Sequence, residues 1–193
     1  MDGFVYSNIC DVARNLSSIY QRNFQDVFVE YLHLPQNSTS ASVAVYCASE
    51  LRRLAEAFEK ALGLGVTPMA LSKSIDVYNA LRARLRAFYA FRIAEPQKLS
   101  TVDLYVVLRA ATLVPPEEAM TWLDTLLAEL PQRSARPRDR LRVVIEGAFC
   151  EQPPIGLLEV LEEAGCYVVE DDLLLGWRWI TGDVAGEGDP YDR

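Results

Sequence analysis

Two stretches of this chain repeat one order: a short apolar run, a helix-forming segment, and a second short apolar run. In the first, Gly3 to Ser7 reads as a buried strand, and an apolar-periodic stretch through Val12, Leu16, Ile19 and Tyr20 follows Ile9-Cys10-Asp11. Val27-Phe28-Val29-Glu30-Tyr31-Leu32 then supplies β-branched and aromatic residues and stops at Pro35. In the second, Leu141 to Ile145 is a buried strand, Pro154 to Ala164 a short helix ended by Gly165, and Cys166 to Val169 another strand. Strands joined by a helical crossover pair in parallel, so this order restricts each stretch to a β-α-β unit of an α/β fold.

Between them the periodicity changes from two to that of a helix. Cys47, Leu51, Leu54, Phe58 and Leu62 recur at three- and four-residue steps, and Gly63 and Gly65 end that helix. Thr67 with Pro68 at the first helical position starts a long one, whose Leu71, Ile75, Tyr78, Leu81, Leu85 and Phe88 share a face and which Pro96 closes. Ser100-Thr101-Val102-Asp103 is a start resembling a capping box, with Asp in place of Glu or Gln. Pro115-Pro116 separates this helix from one bearing Met120, Leu123 and Leu127. From Pro131 to Arg140 the composition shifts to Gln, Ser, Pro and charge, as in a linker. The expected plan is therefore parts of two doubly wound parallel-sheet, Rossmann-like domains flanking a helical segment. Residues 1–42 are the C-terminal part of the first α/β domain, 43–130 the helical segment packing as one unit, 131–140 a linker, and 141–193 the start of the second. Each unit has too few strands to close a sheet off from solvent, which gives the expectation of open apolar edges and of a chain cut at both ends.

Of 193 residues, 50% are hydrophobic, enough for a real core. The 27 acidic residues outnumber the 19 Lys and Arg, a net charge of −8, so no broad positive field exists to hold nucleic acid or an anionic membrane. No apolar run reaches the roughly eighteen residues of a membrane span, and Met1-Asp2-Gly3-Phe4 lacks a secretion signal; the expected compartment is the cytoplasm. Walker and G-x-G-x-x-G motifs are absent, which removes those routes to ATP or a dinucleotide.

The four cysteines, at 10, 47, 150 and 166, have neither C-x-x-C spacing nor the density of a disulfide scaffold. Cys10 follows a strand and stands at a helix start, where α/β folds place ligands and where free amide N–H groups and the positive helix end stabilise a thiolate or an anionic cluster. The alternative is an inert buried thiol. Gly147-Ala148-Phe149-Cys150-Glu151-Gln152-Pro153-Pro154 occupies the equivalent edge of the second unit, and Glu151 and Gln152 are candidates for a substrate-side or proton-transfer role, against the alternative of a solvated loop tip. Cys47 and Cys166 read as core. Glu170-Asp171-Asp172 lacks the partner spacing of a metal site, and His33, the only histidine, has no neighbouring nucleophile. Arg82, Arg84, Arg86 and the linker arginines have the chemistry to meet coenzyme A phosphates, against the alternative of solvated surfaces.

Four stretches then carry a resemblance. Ile9-Cys10-Asp11-Val12-Ala13-Arg14-Asn15-Leu16, Leu34-Pro35-Gln36-Asn37 and Tyr78-Asn79-Ala80-Leu81-Arg82 resemble, in order, the 2-hydroxyacyl-CoA dehydratase and benzoyl-CoA reductase subunits. Phe149 to Pro154, with Ala164-Gly165-Cys166-Tyr167-Val168-Val169 and Asp171-Asp172, is most similar to the smaller iron-sulfur subunits of the reductases. The resemblance implies an internal fragment of such a subunit. Cys10 would match one of three cysteine ligands of a four-iron four-sulfur cluster, the others lying upstream of Met1 and downstream of Arg193, and Cys150 and Cys166 would match positions that are not ligands. The implied partners are a second cluster-bearing subunit, an ATP-hydrolysing iron-sulfur activator and an acyl-CoA substrate. The implied chemistry is low-potential one-electron reduction of an aromatic acyl-CoA, with dehydration of a 2-hydroxyacyl-CoA or an inactive fragment as the other readings.

Overall fold

The computed structural model describes residues 3–63, 65–136, 138–147, 153–172 and 177–192, with the Arg178 side chain also left undescribed. It is a mixed α/β protein, and among the described residues the strands form two separate two-stranded parallel sheets. The chain divides into two compact units, Met1–Ser74 with Ala185–Arg193, and Ile75–Val184. That division runs through the stretch 43–130 and groups the end of 141–193 with the first unit.

The first unit holds β1 (Gly3–Ser7), α1 (Asp11–Asn23), β2 (Phe28–Leu32) and α2 (Val43–Leu62). Gly3 pairs with Phe28 and Ser7 with Leu32, in parallel. Alternation then sorts the side chains to opposite faces. Phe4 and Tyr6 pack on Tyr20 of α1, at 4.8 and 5.7 Å between ring centroids. Phe28 packs on Phe58 of α2 at 5.1 Å, so the two helices cover opposite faces of the sheet. Gly3 is required where it stands: a Cβ there would come within 2.7 Å of the Phe28 carbonyl oxygen. α2 ends at Gly63, whose φ of 67° lies in the left-handed region that glycine adopts without strain. The tail returns to α2 through Arg52, which pairs with Asp189 and Asp192 and lies over the Tyr191 ring.

The second unit takes the rest of α3 (Pro68–Ala94), then α4 (Thr101–Ala111), α5 (Pro116–Glu129), β3 (Leu141–Ile145), α6 (Ile155–Glu163) and β4 (Cys166–Asp171). The expected helix starts are present: the Thr67 hydroxyl accepts from Ala70 N–H, and the Ser100 hydroxyl from Asp103 N–H. Leu81, Leu85, Phe88 and Tyr89 of α3 form the core with Leu104 and Leu108 of α4, Leu123 of α5 and Ile180. β3 and β4 are parallel, with a bulge between Val143 and Val144.

Three expected apolar faces are not fully covered. On α1, Val12, Leu16 and Ile19 are exposed while Ser17 is buried. On α2, Leu51 and Leu62 are exposed and Ala48 is buried. On α3, Tyr78 is exposed. Periodicity identifies a helix that has an apolar face, whereas coverage needs a neighbour, and two-stranded sheets supply few. Leu141 and Val144 of β3 are 73% and 60% exposed for the same reason. We therefore expect this chain to self-associate as its concentration rises. Size-exclusion chromatography with light scattering over a hundredfold dilution should show a concentration-dependent mass; a monomer throughout, with a cooperative melt, contradicts the expectation.

Candidate functional site

Because β1 and β2 are parallel and in register through Ser7 and Leu32, the residues that follow them emerge at one edge. Asn8 locks the two loops together: its Nδ2 donates to the Leu34 carbonyl at 2.6 Å and its Oδ1 accepts from Leu34 N–H at 2.8 Å. At this edge Cys10 is the N-cap of α1, extended at φ −157° and ψ 164°, and its Sγ accepts from Ala13 N–H at 3.4 Å. The thiol is exposed.

It opens on a cavity of about 330 Å³ shared with Asn8, Arg14, Tyr31, His33 and Gln36. His33 Nδ1 is 2.7 Å from the Tyr46 hydroxyl, and its backbone N–H donates to Glu50. Arg53 fixes the far side of β2, donating to Glu30, Glu50 and the Tyr31 carbonyl. The Tyr31 hydroxyl is buried without a hydrogen-bond partner among the described residues, so a donor and acceptor is available inside the unit.

The donor chemistry fits one part of an iron-sulfur site. A solvent-accessible sulfur at a helix N-terminus, with amides and Arg14 near it, suits a thiolate ligand to an anionic cluster. The described residues contain no group of three or more His, Cys, Asp or Glu placed to hold a metal. Cys47 of α2 and Cys166 of β4 are half-buried within their own units.

The second candidate edge is only partly described, since Cys150, Glu151 and Gln152 lie outside the described residues. What frames it is defined. Asp172 N–H donates to the Ile145 carbonyl at 2.7 Å, extending the ladder past β4. Asp171 is buried and its Oδ2 accepts from the Tyr89 hydroxyl at 2.7 Å. Burial, with the Asp171 carboxylate beside it, pushes the Tyr89 hydroxyl above the tyrosine range, which keeps it protonated and donating. The middle of Glu170-Asp171-Asp172 thus has a buried hydrogen-bonded role.

The helical arginines are also occupied. Arg84 forms a two-pronged pair with Asp124, and Arg86 one with Asp183. Arg82 bonds Asn79 and lies 3.8 Å from Asp183. Their hydrogen bonds hold the Asp124 and Asp183 carboxyls below their ordinary values. The sequence alone allows these arginines as phosphate ligands; the structure places carboxylates on them. It also brings Asn8, Tyr31 and His33 to Cys10, which strand register could have shown, since Asn8 and His33 are the next residues after a paired Ser7 and Leu32.

The family model described as 2-hydroxyglutaryl-CoA dehydratase, D-component, matches residues 1–193. The chain is 38% identical, over all its 193 residues, to a benzoyl-CoA reductase subunit of Thauera aromatica, covering 50% of that protein. It is 28% identical to the lactoyl-CoA dehydratase subunit beta of Anaerotignum propionicum, with 100% of this chain and 50% of the relative aligned. It is 26% identical to the (R)-2-hydroxyglutaryl-CoA dehydratase subunit beta of Acidaminococcus fermentans, with 98% and 50% aligned. The chain spans about half the length of these curated relatives. With its whole length inside the family model, the chain belongs to the 2-hydroxyglutaryl-CoA dehydratase D-component family, which takes in subunits of benzoyl-CoA reductase and of 2-hydroxyacyl-CoA dehydratases.

Proposed function

We propose that this chain is part of an iron-sulfur subunit of a benzoyl-CoA reductase, in which Cys10 is an iron ligand and the two β-α-β units belong to two doubly wound domains. The observation that carries the reading is the exposed Cys10 thiol at the start of α1, opening on a polar cavity at the C-terminal edge of a parallel sheet. Its 38% identity to a benzoyl-CoA reductase subunit supports the substrate class. A bound cluster supplies low-potential single electrons for reducing an acyl-CoA. The chain's own residues then have limited tasks. Asn8 fixes the loop that presents Cys10, Ala13 N–H orients the sulfur, and Tyr31 and His33 line the cavity beside it. Glu151 and Gln152 are substrate-side elements in this reading. A second subunit bearing a cluster and an ATP-hydrolysing activator complete it.

Dehydration of a 2-hydroxyacyl-CoA is the second reading, favoured by the relatives named as lactoyl-CoA and 2-hydroxyglutaryl-CoA dehydratase subunits. The two are separated by incubating the full complex and its activator, with ATP and reductant, with benzoyl-CoA and with a 2-hydroxyacyl-CoA. The reductase reading predicts loss of benzoyl-CoA to a dienoyl product and persistence of the hydroxyacyl thioester; the reverse pattern overturns it.

A further inference from the structure

The cavity of about 330 Å³ beside Cys10 carries a charge that no acid among the described residues neutralises. Of the residues lining it, Asp11 and Arg14 are the two fully charged at neutral pH. Elsewhere in the unit arginines are committed: Arg53 pairs with Glu30 and Glu50, and Arg52 with Asp189 and Asp192. Arg14 bonds through its backbone alone, its N–H donating to the Cys10 carbonyl at 3.2 Å and its carbonyl accepting from the Ser17 hydroxyl at 2.9 Å. Its guanidinium has neither an ion pair nor a hydrogen bond among the described residues.

The place of that charge goes against the helix. α1 begins at Asp11, so Arg14 closes its first turn, at the positive end of the helix dipole, where a cation is disfavoured. Arg22, in the last turn, stands at the end that favours one. A charge that breaks a local rule and has no partner marks a role outside the stability of the fold. Helix geometry also aims it. The Arg14 N–H bond to the Cys10 carbonyl sets the two residues one turn apart on one face, and helical side chains lean toward the N-terminus, here toward Cys10.

We infer that Arg14 sets the reduction potential of the cluster anchored by Cys10, by holding a permanent positive charge beside it. The inference rests on the reading of Cys10 as an iron ligand. The step concerned is the gain of one electron by the cluster, supplied in that reading by the ATP-hydrolysing activator, and no bond forms or breaks in it. The reduced cluster is more negative by one charge, so a neighbouring cation stabilises it more than the oxidised form and raises the potential. A guanidinium stays protonated throughout the range in which proteins work, which makes it a fixed charge and not a pH switch.

The test uses a full-length subunit carrying this sequence, reconstituted anaerobically. Iron per chain is measured first, and a redox titration follows the paramagnetic resonance signal of the reduced cluster. R14Q should keep its iron and its melting curve and lower the midpoint potential, and R14K should restore it. D11N, which removes a negative charge from the same cavity, should raise it. R22Q, eight residues and about 12 Å further along α1, should leave it unchanged. Loss of iron in R14Q with R14K intact also supports the inference, since the charge is then what stabilises the anionic cluster. The inference fails if R14Q holds a full cluster at the unmodified potential, if R22Q shifts it as far as R14Q, or if D11N lowers it. It fails too if R14Q and R14K both lose iron, which makes Arg14 a structural residue. An unmodified subunit that takes up no cluster, or a full cluster in Cys10→Ser, overturns the Cys10 reading instead.

Discussion

Replacing Arg92 with methionine is expected to destabilise the chain by about 3–5 kcal/mol, the cost of removing one partner from a buried ion pair. Arg92 is fully buried near the end of α3. Its Nε donates to the Val168 carbonyl at 3.0 Å, one terminal nitrogen to the Thr101 hydroxyl and to Glu162, and the other to the Pro96 and Leu99 carbonyls. One side chain thereby joins α3, the turn before α4, α6 and β4. Burial pulls the guanidinium down from its ordinary value while the Glu162 carboxylate opposes that, and the cation is the form these acceptors need. Methionine keeps most of the volume and none of the donors, so the carbonyls would lose the donor that meets them and the Glu162 carboxylate, still bonded to Thr101, would lose its countercharge. Urea unfolding should show the loss. The double variant Arg92→Met, Glu162→Leu should be less unstable than the sum of its singles, because neither partner is then left charged alone. A loss below about 1 kcal/mol for Arg92→Met would mean that water or other groups replace the guanidinium, and that this junction is not what joins the four elements.

That junction was not legible in the sequence, for a physical reason. An arginine in the last turn of a helix reads as a solvated cation favouring the negative helix end. Its burial depends on Val168, Thr101 and Glu162, which are 9 to 76 positions away and approach only when the unit folds. What was legible was local. Gly3–Ser7, the α1 start at Cys10, the Pro68 start of α3, the Ser100 cap and Leu141–Ile145 each follow from a pattern, a cap or a turn within a few residues. Burial was less legible than helicity: Leu81, Leu85 and Leu123 are core as their spacing implies, yet Val12 and Leu62 are exposed on helices equally periodic. The candidate site divides the same way. Cys10 follows from its place between a strand and a helix, whereas Tyr31, His33 and Asn8 join it only through the register of β1 with β2. Arg84 and Arg86 could not be told from the linker arginines until their carboxylate partners, Asp124 and Asp183, were located 40 and 97 positions further along.

The second large effect concerns Cys10. An iron-sulfur cluster is held by several thiolates, and loss of one anchor leaves iron open to solvent and oxygen. In a full-length subunit of the family carrying this sequence, Cys10→Ser should therefore abolish stable cluster binding. Serine keeps the cap of α1, since its hydroxyl can accept the Ala13 N–H as the sulfur does, so the fold should survive the change. Cys150→Ser and Cys166→Ser should retain most of the cluster; Cys166 is half-buried at the start of β4, the strand end away from the ligand edge. The 193-residue chain itself should bind no stable cluster, having one of the required anchors.

Anaerobic reconstitution with iron and sulfide tests this directly, reading iron per chain and the broad visible absorbance for each of these proteins. The expected outcome is about four irons per chain in the unmodified subunit and in Cys150→Ser and Cys166→Ser, and background iron in Cys10→Ser with an unchanged melting curve. A full cluster in Cys10→Ser together with its loss in Cys150→Ser would refute Cys10 as the ligand and move the iron to the second β-α-β unit.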